Sequence, residues 1–270
     1  MKKPLSPEEL KKPYAKYFEL PVAGPTAEER SWFDQPLKPE EVLPIEQAAN
    51  FVLGHGRFIG APNGYYVFPD GTGYTANEGV VPGVTTELCH WWFRWLNHQP
   101  KGIPMEQGNL RYKIWCPPDH WYHGLSNPSD PNSRSLIVES FDLGAGAPPK
   151  YMLGGDSCTE ALGITQKMLD DALAEGREAS AGYGFDIQMN PTGVSVQQFR
   201  DVPEGCEWSA RSWYGYTVKD GKLVKIEPTR KANVEDMIGE RLHNLTEMRH
   251  LGVILPLIYR DYQNKPLDED

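Results

Sequence analysis

The segment LHNLTEMRHLG, residues 242–252, spaces His243, Glu247 and His250 at intervals of four and three. On a helix those intervals bring side chains onto one face, which lets a helix offer two or three ligands to a metal. Imidazole and carboxylate together suit zinc and related divalent ions, and a catalytic site keeps one position open for water. A pair on one helix is not a complete set, so further donors must come from elsewhere in the chain. His120 and His123 in DHWYHG follow a Pro-Pro turn, from which a side chain can point into a cavity. Glu139 in LIVES follows Ile137 and Val138; a carboxylate in a buried strand needs a cation or several donors. Plainer roles stay open for all of them: a solvated helix face, loop histidines bonded to backbone, and a glutamate turned outward by strand alternation.

The element carrying the first group is a helix from about Asn233 to Tyr259, or one that breaks near Pro256. Asn233 is its natural N-cap, and Glu235 and Asp236 sit in the first turn, where the helix dipole favours acids. At about 100° per residue, Val234, Met237, Ile238, Leu242, Leu245 and Met248 cluster on one side. Glu240, His243, Glu247 and His250 fall within roughly 80° of one another on the other. Periodicity alone therefore favours a polar face turned to water. The same stripe continues into Leu251 and Ile254, however, which argues that part of this face is covered.

Upstream, the spacing predicts mostly strands. The first fifty residues are polar and punctuated by proline, with short helices expected around Pro7–Lys12 and Pro39–Phe51. GYYVFPDGTGYTANEGVVPGVT alternates aromatic runs with glycine clusters, a strand-and-turn pattern. TTELCHWWFRWLNHQP, residues 85–100, predicts a short, buried, aromatic-rich helix capped by Thr85 or Thr86. Leu110 to Cys116 has the look of a strand leading into the turn that carries Asp119, His120 and His123, and RSLIVESFDLG that of a strand ending near Asp142. TEALGITQKMLDDALAEG predicts a helix closed by Gly176. Four successive antiparallel strands follow, including the hairpin VKDGKLV, whose Asp-Gly supplies positive φ. Several antiparallel strands and one long C-terminal helix predict an α+β fold, a curved sheet around that helix with a ligand cavity between them.

Composition narrows the function. A formal net charge of −10 argues against nucleic acid or an anionic membrane as partner, because both call for basic patches. The N-terminal stretch lacks the apolar core of a signal peptide, and no apolar run approaches a membrane span, so a soluble, cytoplasmic protein is expected. Cys89, Cys116, Cys158 and Cys206 lie far apart without a C-x-x-C pair and are expected to be reduced and partly buried. Neither a phosphate-cradling glycine loop nor a G-x-S-x-G elbow occurs. His55 and His98 fit loop or surface positions, and His90 fits a core histidine with one hydrogen bond.

Four stretches, in this order, resemble one known family: HWWFRWL, LRYKIWCPPDH, VQQFRDVPEGCEWSARSWYG and RLHNLTEMRHLGVILPLIY. The chain is similar there, from about residue 85 to 260, to the 2,4-diacetylphloroglucinol and phloretin hydrolases. These are zinc-dependent enzymes that cut the carbon–carbon bond between an acyl group and a phenolic ring. The resemblance implies a helix-grip domain over residues 85–270 preceded by an extension, residues 1–84, packed on it. It implies Zn²⁺ held by His120, Glu139, His243 and Glu247, with Tyr112 binding a phenolic oxygen. Tyr112 and His123 are then the candidates for orienting the ring and moving a proton, with Trp213 and Tyr214 as further substrate contacts. His250 becomes a residue behind the ligands or at the surface.

The chain also departs from the family pattern. His123 stands where an amide is expected, Gln197 and Gln198 where a histidine is expected, and Ser212 at an aromatic position. The implied chemistry is activation of water, or polarisation of the ketone oxygen, for attack on the acyl carbonyl of a phenolic ketone. A homodimer is compatible with this reading. Two other classes remain open at this point: a binder of aromatic or polyketide ligands without catalysis, and a metal-dependent cyclase or lyase.

Overall fold

The computed structural model describes residues 2–53, 62–98, 109–130, 132–186, 188–226 and 231–267. Its strands are β1 (Gly64–Val67), β2 (Gly73–Pro82), β3 (His120–Leu125), β4 (Ser135–Glu139), β5 (Lys150–Leu153), β6 (Arg177–Asp186), β7 (Pro191–Val202), β8 (Gly205–Tyr214), β9 (Tyr216–Lys219) and β10 (Lys222–Lys225). Its helices are α1 (Ala27–Ser31), α2 (Ala48–Leu53), α3 (Thr86–Asn97), α4 (Leu110–Trp115), α5 (Gln166–Ala174) and α6 (Val234–Tyr262). Short 3-10 turns punctuate the first fifty residues, among them Glu9–Lys11, Pro39–Glu41 and Ile45–Gln47. His55 lies outside the described residues.

The first eight strands form one antiparallel sheet in the order β1-β2-β8-β7-β6-β5-β4-β3. From β3 to β8 the chain meanders, and the β1–β2 hairpin joins through β2, which pairs with β8 along its full length from Gly73–Tyr214 to Pro82–Gly205. The sheet thus takes two strands from the stretch assigned to the N-terminal extension; residues 2–53 lie outside it. The Asp-Gly hairpin forms as expected, with Asp220 and Gly221 at φ 51° and 72° between β9 and β10.

Alternation along each central strand builds two cores. One face carries Trp208 and Ala210 of β8 and receives α6, α3, α4 and the N-terminal aromatics Tyr14, Tyr17 and Phe18. The opposite face carries Val194 and Val196 of β7 and Trp213 of β8, covered by Val42, Leu43, Ile45, Leu162 and Ile164. The α6 helix lies between the sheet and the α3–α4 layer, so it is wrapped rather than half-wet. Leu251 and Ile254 are fully buried, as their place on the polar stripe suggested. Asn233 caps the helix through its side chain, which accepts from the amides of Glu235 and Asp236 at 2.9 and 3.3 Å. The helix also runs unbroken through Pro256; Leu255, Ile258 and Tyr262 bury the turns around and beyond it, and packing offsets the lost backbone bond. Among the described residues no helix is long and apolar enough to cross a membrane.

Five local expectations change. Leu110–Trp115 is a helix, not a strand. Leu110, Arg111, Tyr112 and Ile114 are all buried, so no half-wet alternation distinguished the two periods. Arg111 fixes the segment by donating to the carbonyls of Trp95 and Leu267, both at 2.8 Å, with its guanidinium over the Trp95 ring. His123 lies within β3 rather than on the turn before it, and β4 ends at Glu139 instead of near Asp142. Residues 159–176 split into a 3-10 turn and α5 because Gly163 turns left-handed at φ 75°. His90 is half-exposed on α3, where its Nε2 pairs with the Glu178 carboxylate.

His250 is fully buried, and neither ring nitrogen has a hydrogen-bond partner among the described residues. Burial, aided by the charge of Lys2, depresses its pKa to about 4. The unfolded chain takes up this proton below about 6.5 while the folded chain does not. The stability present above pH 6.5 is therefore lost as pH falls toward 4, by about 3 kcal/mol for this one group. Urea titrations of wild type and His250→Leu at pH 7.5 and 4.5 should show a shallower loss in the variant; parallel losses would refute this assignment.

Candidate metal centre and cavity

The register of β3 and β4 sets His120 opposite Glu139 at the end of their ladder. His243 and Glu247, one turn apart on α6, approach the same point from the helix. His120 Nε2 lies 3.3 Å from His243 Nε2, 3.4 Å from Glu139 Oε1 and 3.5 Å from Glu247 Oε2. His243 Nε2 is 3.7 Å from a carboxylate oxygen of Glu139 and 3.7 Å from one of Glu247. A tetrahedral ion with bonds of about 2.0–2.2 Å has ligand–ligand edges of about 3.3–3.6 Å, so these separations suit one.

The outer nitrogens are also arranged. His120 Nδ1 donates to the Tyr112 carbonyl at 2.8 Å, and His243 Nδ1 donates to Asp119 Oδ2 at 3.0 Å. Each bond fixes the ring and leaves Nε2 directed at the centre. Trp115 Nε1 donates to the Glu247 carbonyl at 3.0 Å, and the Asn244 amide donates to the Glu247 carboxylate.

Burial dominates the electrostatics. It depresses His120 to about 4 against the pull of Glu247, so this imidazole is neutral. It raises Glu139 to about 7, with Glu247 adding to the rise and His243 opposing it. Burial would lower His243 too, but Glu139 and Asp119 lift it well above its ordinary value. Protons thus stand in for positive charge that two converging carboxylates require.

Cys116 is a residue the spacing did not single out. Cys116, His120 and His243 form a buried group, with ligand atoms within 4.8 Å of one another, that could hold a metal ion. The thiol lies 3.8 Å from Nδ1 of His243, the nitrogen already bonded to Asp119, and burial keeps it protonated by raising its pKa. On geometry it backs the histidine, while Glu139 and Glu247 share the Nε2 side.

A cavity of about 530 Å³ opens from this cluster between the sheet and α6. Tyr112, His123, Glu139, His243 and Glu247 line one part, and Phe93, Trp115 and Phe141 supply aromatic wall. The Tyr112 ring stacks on His120 at 3.8 Å between centroids, and its hydroxyl donates to Glu139 Oε1. His123, its ring 5.1 Å from that of Tyr112, is held neutral at about pKa 4 by burial and by His120. Its amide donates to Asn109 Oδ1 at 2.8 Å. Trp213 and Tyr214, expected as joint substrate contacts, part company because strand neighbours face opposite ways. The Tyr214 hydroxyl reaches Glu240 on α6 at 2.8 Å, whereas the Trp213 indole turns to the far core and donates to the Leu43 carbonyl at 2.8 Å. Trp213 borders the cavity without offering it an indole wall.

A cavity with convergent titratable groups in an aromatic surround is the kind of site that small-molecule enzymes build. The chain belongs to the DAPG hydrolase PhiG domain family, whose model matches residues 52–260. Phloretin hydrolase of Eubacterium ramulus is 26% identical over 268 residues, covering 94% of this chain and 92% of that protein. The 2,4-diacetylphloroglucinol hydrolase of Pseudomonas protegens is 26% identical over 280 residues, covering 93% of this chain and 85% of the relative. A solved structure, protein Ms6760 from Mycobacterium smegmatis, aligns at a TM-score of 0.34 and 12% identity, covering 72% of this chain and 96% of that one.

Proposed function

We propose that this chain is a zinc-dependent hydrolase with a helix-grip fold that cleaves the bond between an acyl group and a polyphenolic ring. The convergence of His120, Glu139, His243 and Glu247 on one point carries the proposal. The names of the relatives supply the substrate class, acylphloroglucinols and phloretin-type ketones. A zinc ion held by these four residues supplies Lewis acidity, polarising a ketone oxygen and lowering the pKa of water.

The remaining work falls to the chain. Hydrolysis adds water across the aryl–acyl bond, giving the free phenol and a carboxylic acid. Direct loss of an aryl carbanion is prohibitive, so the ring must take a proton at its ipso carbon, through the keto tautomer of a ring hydroxyl. The Tyr112 hydroxyl, already bonded to Glu139, is placed to bind that ring oxygen and relay its proton. His123, neutral and beside Tyr112, accepts a hydrogen bond from a second ring hydroxyl. Phe93, Trp115 and Phe141 give the flat ring an apolar bed and exclude bulk water.

Metal analysis of the purified chain should find about one zinc per molecule, and incubation with an acylphloroglucinol should release one carboxylic acid per phenol. A folded chain that cleaves these ketones without bound metal would overturn the proposal. Tyr112→Phe removes the hydroxyl while keeping the ring stacked on His120. The expected result is a fall in kcat of about 10²- to 10⁴-fold with zinc content unchanged. Unchanged turnover would remove Tyr112 from the mechanism.

A further inference from the structure

Asp119 lies outside the set of four that converge, yet it ties all the elements supplying them together. It is fully buried. Its backbone carbonyl accepts from the Ser140 amide at 2.9 Å, next to Glu139, and its amide donates to the Cys116 carbonyl at 3.0 Å. Its carboxylate spans two further elements: Oδ1 accepts from the Gly144 amide at 3.1 Å, and Oδ2 accepts from His243 Nδ1 at 3.0 Å. The loop that brings Gly144 back is left-handed at Leu143 and Gly144, at φ 52° and 80°. It is braced by Asp142, which accepts from the amides of Gly144 and Ala147. One side chain thus joins the end of the β3–β4 hairpin, which carries His120 and Glu139, to the helix that carries His243 and Glu247.

We infer that Asp119 is the positioning residue of the metal centre. It acts through His243, holding the proton on Nδ1 so that Nε2 presents its lone pair inward, and it sets the span between hairpin and helix. The inference rests on the metal reading proposed above. A carboxylate is the effective group for this task because its charge raises the basicity of the imidazole it holds; a neutral amide accepts the same bond with less effect. His120 is braced differently, by the Tyr112 carbonyl, so the two imidazoles do not share a support.

The test compares wild type, Asp119→Asn and Asp119→Ala for zinc affinity, measured by competition with a chromophoric chelator. Melting of the metal-free proteins and the visible spectrum of each Co²⁺-loaded form complete it. Zinc should bind about tenfold more weakly to Asp119→Asn and about 100-fold more weakly to Asp119→Ala. Metal-free Asp119→Asn should melt somewhat below wild type, since its amide keeps the size but only one of the two acceptor oxygens that Gly144 and His243 use, and its cobalt bands should shift. A purely structural role predicts the lowered melting alone, with zinc affinity within about twofold of wild type and cobalt bands unmoved, and that result overturns the inference. If Asp119→Ala does not fold, Asp119→Asn decides alone. Wild type that takes up neither zinc nor cobalt overturns the metal reading and this inference together. Tight binding in wild type and both variants overturns only the inference.

Discussion

His243→Ala is expected to lose stoichiometric zinc and to lower kcat/KM by on the order of 10³-fold or more. His243 Nε2 is one of the two nitrogens at the centre, 3.3 Å from the other, so its removal opens a whole side of the cluster. The truncation also leaves Asp119, fully buried, without its imidazole partner, which costs stability in its own right. Glu247→Gln separates the two effects. It keeps the volume and the bond to Asn244 while removing the charge that faces His120 and His243. Both variants should lose metal by elemental analysis and activity by acid release, but only His243→Ala should also melt early when metal-free. A His243→Ala enzyme with zinc and activity intact would exclude the helix from the site.

The second large effect is expected from a glycine. A Cβ built on Gly239 would lie 2.5 Å from the backbone carbonyl oxygen of Phe141, two residues beyond Glu139. Backbone cannot step aside as a side-chain tip can, so Gly239→Ala must push α6 away from the end of β4. His243 and Glu247 ride on the next two turns, and Glu139 sits on the strand being pushed. The substitution should lower stability by about 1–3 kcal/mol, despite alanine's better helix propensity, and should weaken zinc binding as well. Gly252→Ala, on the same helix, meets the Val81 side chain at 3.2 Å and is the natural control. That position should stay within about 1 kcal/mol of wild type with metal affinity unchanged. Equal behaviour of the two variants in thermal melts and chelator competition would show that the approach of helix to strand does not hold the site.

Much of the site was legible in single stretches because its parts are short-range. The interval of four in LHNLTEMRHLG places His243 and Glu247 together on any helix, whatever covers them. Glu139 beside Ile137 and Val138 fitted a buried carboxylate in need of company, with an outward turn by strand alternation equally open. Capping by Asn233 and the Asp220-Gly221 turn followed from local backbone chemistry, and both formed. Leu110–Trp115 misled for an equally local reason. A segment buried on nearly every side has no wet face to mark its period, and Tyr112 reached the cavity from a helix instead of a strand.

Residue types and spacing by themselves determined the α+β character and the long capped helix with its His and Glu one turn apart; they left open whether Glu139 faced a partner or water. Whether that helix face was wet or covered depended on elements hundreds of residues apart being laid on both sides of it. Only the tertiary structure decided that. Strand register put His120 across from Glu139, a glycine let helix and strand meet, and Asp119 and Cys116 took their places behind His243. Such contacts depend on distance in space, which spacing along the chain does not encode once strands pair out of order.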